Sequence, residues 1–263
     1  MAIRCFPAST RTEDVVWVDT HCHLQLAEAD PGLLLERAGE AGVGWVVIPG
    51  VDAATSTAAR QLAKDDDRAK WAAGLHPHDA GRWPEDGEAI ASLITEADAV
   101  GEIGLDFYRS QTPRDVQEAA FRAQLALAEA AGLPALVHCR DAFSAVYDIV
   151  EDTGTGPRVV LHCWTAGPRW TKRFRELGVT FSYAGPLAFA NGDTIRLGAL
   201  EAPPDQTVVE TDTPLLSPPP FRDVENEPSR VVLVGQALAE VWGMPLDEVE
   251  RRTTTRAERV FGG

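Results

Sequence analysis

Short apolar segments recur along this chain at intervals of about 21 to 35 residues, and helical patterning fills the gaps between them. They lie at residues 15–20, 45–50, 70–75, 99–104, 134–137, 158–161, 179–183 and 207–210. Several are near-continuous in Val, Ile, Leu and Ala, the composition of parallel strands covered on both faces. Eight such units in 263 residues predict an α/β chain folded as one (β/α)8 TIM barrel, with residues 1–14 as an N-terminal extension.

The intervening segments agree with that period. Residues 117–131 place Ala120, Phe121, Gln124, Ala128 and Ala131 at helical spacing before Gly132 and Pro134 stop the helix. Residues 33–41 precede Gly42 and Gly44 in the same way, and 229–242 and 246–260 read as two closing helices. Asp65, Asp66 and Asp67 precede a strand and read as a solvated loop on the far rim. The proline-rich segment 214–228 follows the eighth strand and reads as a loop over the barrel mouth, not as a linker.

In such a barrel the C-terminal ends of the strands converge on one pocket. Those ends carry His21 and His23, His76, Glu102, His138, His162 and Asp212. The chain has 6 histidines, and the sixth, His78, follows the third strand as well. Histidines kept for structural reasons would also fall in helices and on the far rim. The pattern therefore reads as a metal site.

Imidazoles with two carboxylates suit Zn²⁺, Mn²⁺, Fe²⁺ or Co²⁺, and suit Mg²⁺ less because it prefers oxygen. Leaving His76 aside, the six ligating side chains His21, His23, Glu102, His138, His162 and Asp212 exceed the needs of one tetrahedral ion, so two ions are expected, with Glu102 a candidate to bridge them. Asp212 is placed to ligate one ion and to accept a proton from the attacking water. His76 is left between metal and substrate oxygen, and His78, further out, is read as a loop group or one that supports a ligand from behind. Asp106 is left between orienting a ligand and capping a helix. Arg140 reads as a phosphate clamp, whereas Arg109 and Arg222 are assigned to surface salt bridges.

Composition narrows the partners. The 24 basic and 40 acidic residues give a net charge of −16, which excludes a broad cationic face for long duplexes. Three of the 4 cysteines, Cys22, Cys139 and Cys163, directly follow a histidine. The pleat turns their thiols behind the site, which excludes a disulfide framework among them. No segment has signal-peptide or membrane-spanning character, so a cytoplasmic location is expected, with no membrane and no obligate protein partner.

The ordered motifs Asp19-Thr20-His21-Cys22-His23-Leu24, Gly74-Leu75-His76-Pro77-His78, Gly101-Glu102-Ile103-Gly104-Leu105-Asp106, Val137-His138-Cys139-Arg140, Leu161-His162-Cys163-Trp164 and Glu210-Thr211-Asp212-Thr213-Pro214 resemble the TatD family. That resemblance implies a barrel hydrolase of the metal-dependent deoxyribonuclease type. It implies one metal on His21, His23, Glu102 and Asp212, a second on Glu102, His138 and His162, and His76 and Arg140 near the scissile phosphate. The chain departs from the family pattern at Gln25, Trp164, Arg256 and the acidic stretch Asp223-Val224-Glu225, none of them among these ligands.

The leading expectation is a two-metal hydrolase, a deoxyribonuclease that cleaves single-stranded or frayed DNA, in the form of a 3′-to-5′ exonuclease, with DNA ends as substrate. The alternative keeps the metals and hydrolyses an ester or amide of a small molecule or aminoacyl ester. A third reading, a barrel that keeps its metal for stability alone, conflicts with the complete ligand set.

Overall fold

Alternation along the strands separates two apolar layers. Val18, Val47, Ala72, Ala99, Leu136, Val160 and Val208 gather in one cluster. Their chain neighbours Trp17, Val46, Ile48, Val100, Val137, Leu161 and Val209 belong to a second cluster that takes in the helices. Side chains alternate across a strand, so the first set lines the inside of a curved sheet and the second faces outward.

The structure, a computed structural model, describes residues 16–109 and 111–262. The expected extension over 1–14 and the first residue of the expected first strand lie outside them. In chain order the elements are β1 (Trp17–Asp19), α1 (Pro31–Glu40), β2 (Val43–Pro49), α2 (Ala53–Asp65), β3 (Ala69–Ala73) and α3 (Trp83–Ile94). There follow β4 (Ala99–Asp106), α4 (Arg114–Ala131), β5 (Ala135–Arg140), α5 (Phe143–Thr153), β6 (Val159–Leu161) and α6 (Pro168–Glu176). The chain ends with β7 (Thr180–Tyr183), α7 (Asp193–Ala199), β8 (Thr207–Val209), α8 (Val231–Trp242) and α9 (Leu246–Phe261).

All neighbouring strands pair in parallel in the order β1 to β8. The ring closes where Thr20 N–H donates to the Val209 carbonyl (3.1 Å) and Asp212 N–H donates to the His21 carbonyl (2.9 Å), with a parallel bridge between Cys22 and Thr213. The fold is the expected (β/α)8 barrel. Among the described residues no helix is long and apolar enough to cross a membrane.

Local signals explain the helix ends. Asp30 accepts from Leu33 N–H with Pro31 at the first position of α1, and Asp52 forms a capping box with Thr55 on α2. Gly132 ends α4 with φ of 71°, a conformation that glycine adopts without a Cβ penalty. The closing helix α9 sends Ala257 and Phe261 into the inner cluster and so plugs the N-terminal end of the barrel.

Three details differ from the sequence reading. β4 and β5 run two and three residues further than the segments 99–104 and 134–137, paired as Gly104 with His138 and Asp106 with Arg140. β3 stops at Ala73, so His76 lies in the loop beyond it. In the acidic run, Asp66 is half-buried and binds the Arg68 guanidinium at 2.6 Å, because the turn into β3 needs its carboxylate.

Close approach of α8 to β1 depends on one glycine. A Cβ on Gly235 would stand 2.1 Å from the ring of Trp17, which is itself buried. Gly235→Ala is expected to lose about 1–3 kcal/mol by overpacking, despite its better helix propensity. Urea denaturation measures this, and an unchanged midpoint would contradict that packing.

Candidate metal centre

The inner layer of the barrel continues upward into polar residues by strand parity alone. Leu136 is followed two residues on by His138, Val160 by His162, and Val208 by Glu210 and then Asp212. On the first strand the chain bends at Thr20, whose hydroxyl lies inward beside that of Ser182 at 3.2 Å. The bend lets His21 follow Thr20 into the same space, and His23 arrives there too. Their Nε2 atoms are 3.1 Å apart.

All six residues expected to hold metal come together around Glu102. Its Oε2 lies 3.5 Å from His21 Nε2 and 3.4 Å from His23 Nε2. Its Oε1 lies 2.8 Å from His138 Nδ1, 3.3 Å from His162 Nε2 and 3.5 Å from His76 Nε2. Asp212 Oδ1 stands 3.7 Å from His23 Nε2 and 4.0 Å from His21 Nε2. Ligands about 2.05 Å from a tetrahedral ion are roughly 3.3 Å apart, so the spacings among His21, His23 and Glu102 match donors around a divalent cation, as does the distance of His162 from Glu102 Oε1. One carboxylate thus faces ring nitrogens on two sides with its two oxygens, and the His21 and His162 rings, one from each side, stack with centroids 3.8 Å apart.

Outer partners set which nitrogen of each ring is available. His23 Nδ1 donates to the Pro49 carbonyl at 3.1 Å, leaving the Nε2 lone pair toward Glu102 and Asp212. His162 Nδ1 faces Glu210 Oε1 at 2.9 Å, and His138 Nε2 faces Asp106 Oδ2 at 3.3 Å. In both pairs a carboxylate accepts the ring proton and turns the opposite nitrogen inward. His76 differs: its Nδ1 accepts from His78 N–H at 3.2 Å, so the neutral ring carries its proton on Nε2. That removes His76 Nε2 from the lone-pair donors and makes it a hydrogen-bond donor aimed into the cluster.

The charges answer one another. Burial alone would raise the Glu102 pKa, but His162, His76 and His138 outweigh it and hold the carboxyl well below the usual range. Burial opposes charge on His162, yet Glu210 and Glu102 hold its pKa well above ordinary. Burial, with His162 beside it, pushes His21 down to about 4, and burial pushes His76 down to about 3. Burial also lifts Asp212 to about 6 and Asp19 to about 8. Ring protons here neutralise carboxylates that a divalent cation would neutralise in their place.

Several contributors escape a reading of strand ends. Glu210 is fully buried; it orients His162 and also accepts from Cys163 N–H (2.7 Å) and Ser182 Oγ. Its signal was present, since Glu210 and Asp212 share the alternate spacing of His21 and His23. Asp19 accepts from His21 N–H (3.2 Å), Thr211 N–H (2.9 Å) and Thr211 Oγ1 (2.5 Å), which ties β1 to β8. Gln117 and Gln124 of α4 are buried and bond the backbones of Asp106 and Leu75, fixing the loops of Asp106 and His76. Periodicity gave Gln124 only a place on the buried helix face.

The residues left open at the sequence level resolve in part. Asp106 takes the orienting role and caps no helix: Oδ2 meets His138 and, at 2.9 Å, His78 Nε2, while Oδ1 accepts from Tyr108 and Arg109 N–H in the turn after β4, well before α4 begins at Arg114. His78 is thereby tied to the cluster through Asp106, as a group that supports a ligand and does not itself face Glu102. Arg222 makes no surface salt bridge among the described residues; its guanidinium stacks 3.6 Å from the Phe189 ring and donates to the Ser217 carbonyl. Arg109 also has no carboxylate partner among the described residues. Cys22 and Cys139 are buried free thiols, as the pleat requires.

The chain matches the family described as TatD related DNase over residues 18–262. A protein of Bacillus subtilis named as the uncharacterized metal-dependent hydrolase YabD is 34% identical over 249 residues, which is 92% of this chain and 98% of that protein. The 3′-5′ ssDNA/RNA exonuclease TatD of a Rahnella species is 36% identical over 201 residues, 74% of this chain and 75% of its own length. The crystal structure of YjjV, a TatD homologue from Escherichia coli K12, shares the fold with a TM-score of 0.86 at 24% identity, over 94% of this chain and 98% of that one.

If Glu210 orients His162 as a metal donor, Glu210→Gln should weaken Mn²⁺ binding by about 10- to 100-fold. Competition with a fluorescent chelator reads this directly, and unchanged affinity would show that the His162–Glu210 contact orients no ligand.

Proposed function

Because this chain belongs to the TatD-related DNase family of metal-dependent hydrolases, we propose that it hydrolyses phosphodiester bonds of single-stranded or frayed DNA, working from the 3′ end. The observation that carries the reading is the division of Glu102, with Oε2 toward His21 and His23 and Oε1 toward His138 and His162. His21, His23, Glu102 and Asp212 would hold one divalent ion, and Glu102, His138 and His162 a second. When bound, such a pair lowers the pKa of a water and clamps the entering and leaving oxygens of a displacement.

The chain's own groups do the rest. Side chains of His138, His76 and Asp212 keep 17%, 12% and 11% of their surface exposed, while His21 is sealed, so substrate reaches the cluster over those three. His76 offers its Nε2 proton to a non-bridging phosphate oxygen. The Asp212 carboxylate, three residues beyond β8, receives the proton of the attacking water. The name of the Rahnella relative supports a nucleic-acid end as substrate. A net charge of −16 agrees, since it favours a short local contact over a long duplex. The buried free thiols Cys22 and Cys139 suit a reducing, cytoplasmic setting.

The test uses metal-stripped protein, a 5′-labelled single-stranded oligonucleotide, and separate return of Mg²⁺, Mn²⁺, Co²⁺, Fe²⁺ and Zn²⁺. Stepwise shortening should require metal and identify the working ion, and Glu102→Ala should lower the rate at least about 100-fold. Metal-loaded protein that leaves the strand intact would contradict the nuclease reading and favour hydrolysis of a carboxylic ester or amide.

A further inference from the structure

Beside the cluster, on the β4–β5 side of the mouth, Tyr108 stays 63% exposed although the Arg140 guanidinium lies 4.1 Å from its ring centroid. The chain's two other tyrosines, Tyr147 and Tyr183, are buried. An open aromatic ring beside a site offers a flat apolar face to a partner of the same shape. With Arg140 against one face, the ring presents the other to solvent.

The pair is held firmly and close to the donors. Tyr108 N–H donates to Asp106 Oδ1 at 3.0 Å, and the same carboxylate meets His138 and His78. Phe107 N–H donates to the Arg140 carbonyl at 2.9 Å, which locks the end of β4 to the end of β5. Arg140 stands two residues beyond His138 on the same strand face, about 7 Å along it. It pairs with no carboxylate among the described residues. Two other arginines that stack on rings spend their guanidinium protons on backbone carbonyls: Arg222 donates to that of Ser217 and Arg230 to that of Glu225.

We propose that Tyr108 and Arg140 form a seat for one nucleobase next to the scissile phosphate, the base stacking on the open face of Tyr108 while Arg140 backs the ring and faces the adjoining phosphate. Stacking of this kind accepts any base, because every base has a π face, and it discriminates against strands that lack one. The seat makes Tyr108 a specificity-determining residue. It rests on the nuclease reading above.

The experiment compares normal 3′-ends with strands abasic at the last, second-last or third-last nucleotide, on the metal-loaded protein. For wild type, one abasic position should raise KM by about 5- to 100-fold with kcat little changed. Tyr108→Ala should raise KM for the normal strand to that same value and erase the penalty, with metal content unchanged, and Tyr108→Phe should retain it. Equal KM for all four strands in wild type, or a penalty that survives in Tyr108→Ala, overturns the seat while leaving the nuclease reading intact. Wild-type protein that binds metal and degrades none of the strands overturns that reading and the seat with it.

Discussion

An ionised carboxylate buried in the middle of a barrel is costly unless opposite charge surrounds it, and Glu102 meets that condition from two sides. Its oxygens face His21 and His23 on one hand and His138, His162 and His76 on the other. Those rings arrive from β5, from the segments following β1 and β6, and from the loop after β3, so the position of each constrains the rest. Below the cluster lies a layer of hydroxyls and the Glu210 carboxylate, and below that the apolar plug closed by α9. The order is apolar, then polar, then charged, and it follows the barrel axis toward the C-terminal ends of the strands, where sites of such barrels are built.

The outer partners convert this cluster from a set of titrating groups into a directed one. Asp106, Glu210 and the Pro49 carbonyl each take one ring nitrogen and leave the other facing Glu102. His78 does the reverse for His76, occupying its Nδ1 with a backbone proton and leaving a donor at Nε2. Donors of lone pairs and a donor of a proton therefore sit around one space, which is the division of labour a phosphoester hydrolase requires.

Much of this was legible in the sequence because barrel geometry makes it so. Runs such as Val159 to His162 and Thr207 to Asp212 announce a strand and its polar end in one phrase, and the placement of all six histidines near strand ends left little room for another fold. What was not legible depends on contacts between distant segments. Nothing local to Gln117 or Gln124 says that their amides hold the loops of Asp106 and His76, since on a helix they read only as positions on a face. The stacking of Arg222 on Phe189 likewise requires two loops to meet. The reach of β4 and β5 beyond Gly104 and Val137 was hidden because Asp106, His138 and Arg140 interrupt the apolar runs that mark a strand.

The most direct measurement of the central claim is anomalous diffraction from crystals of this protein soaked in Mn²⁺. Two peaks about 3.5–4 Å apart are predicted, with Oε2 of Glu102 on the ion beside His21 and His23 and Oε1 on the ion beside His138 and His162. A single peak, or a Glu102 carboxylate that gives both oxygens to one ion, would contradict the account.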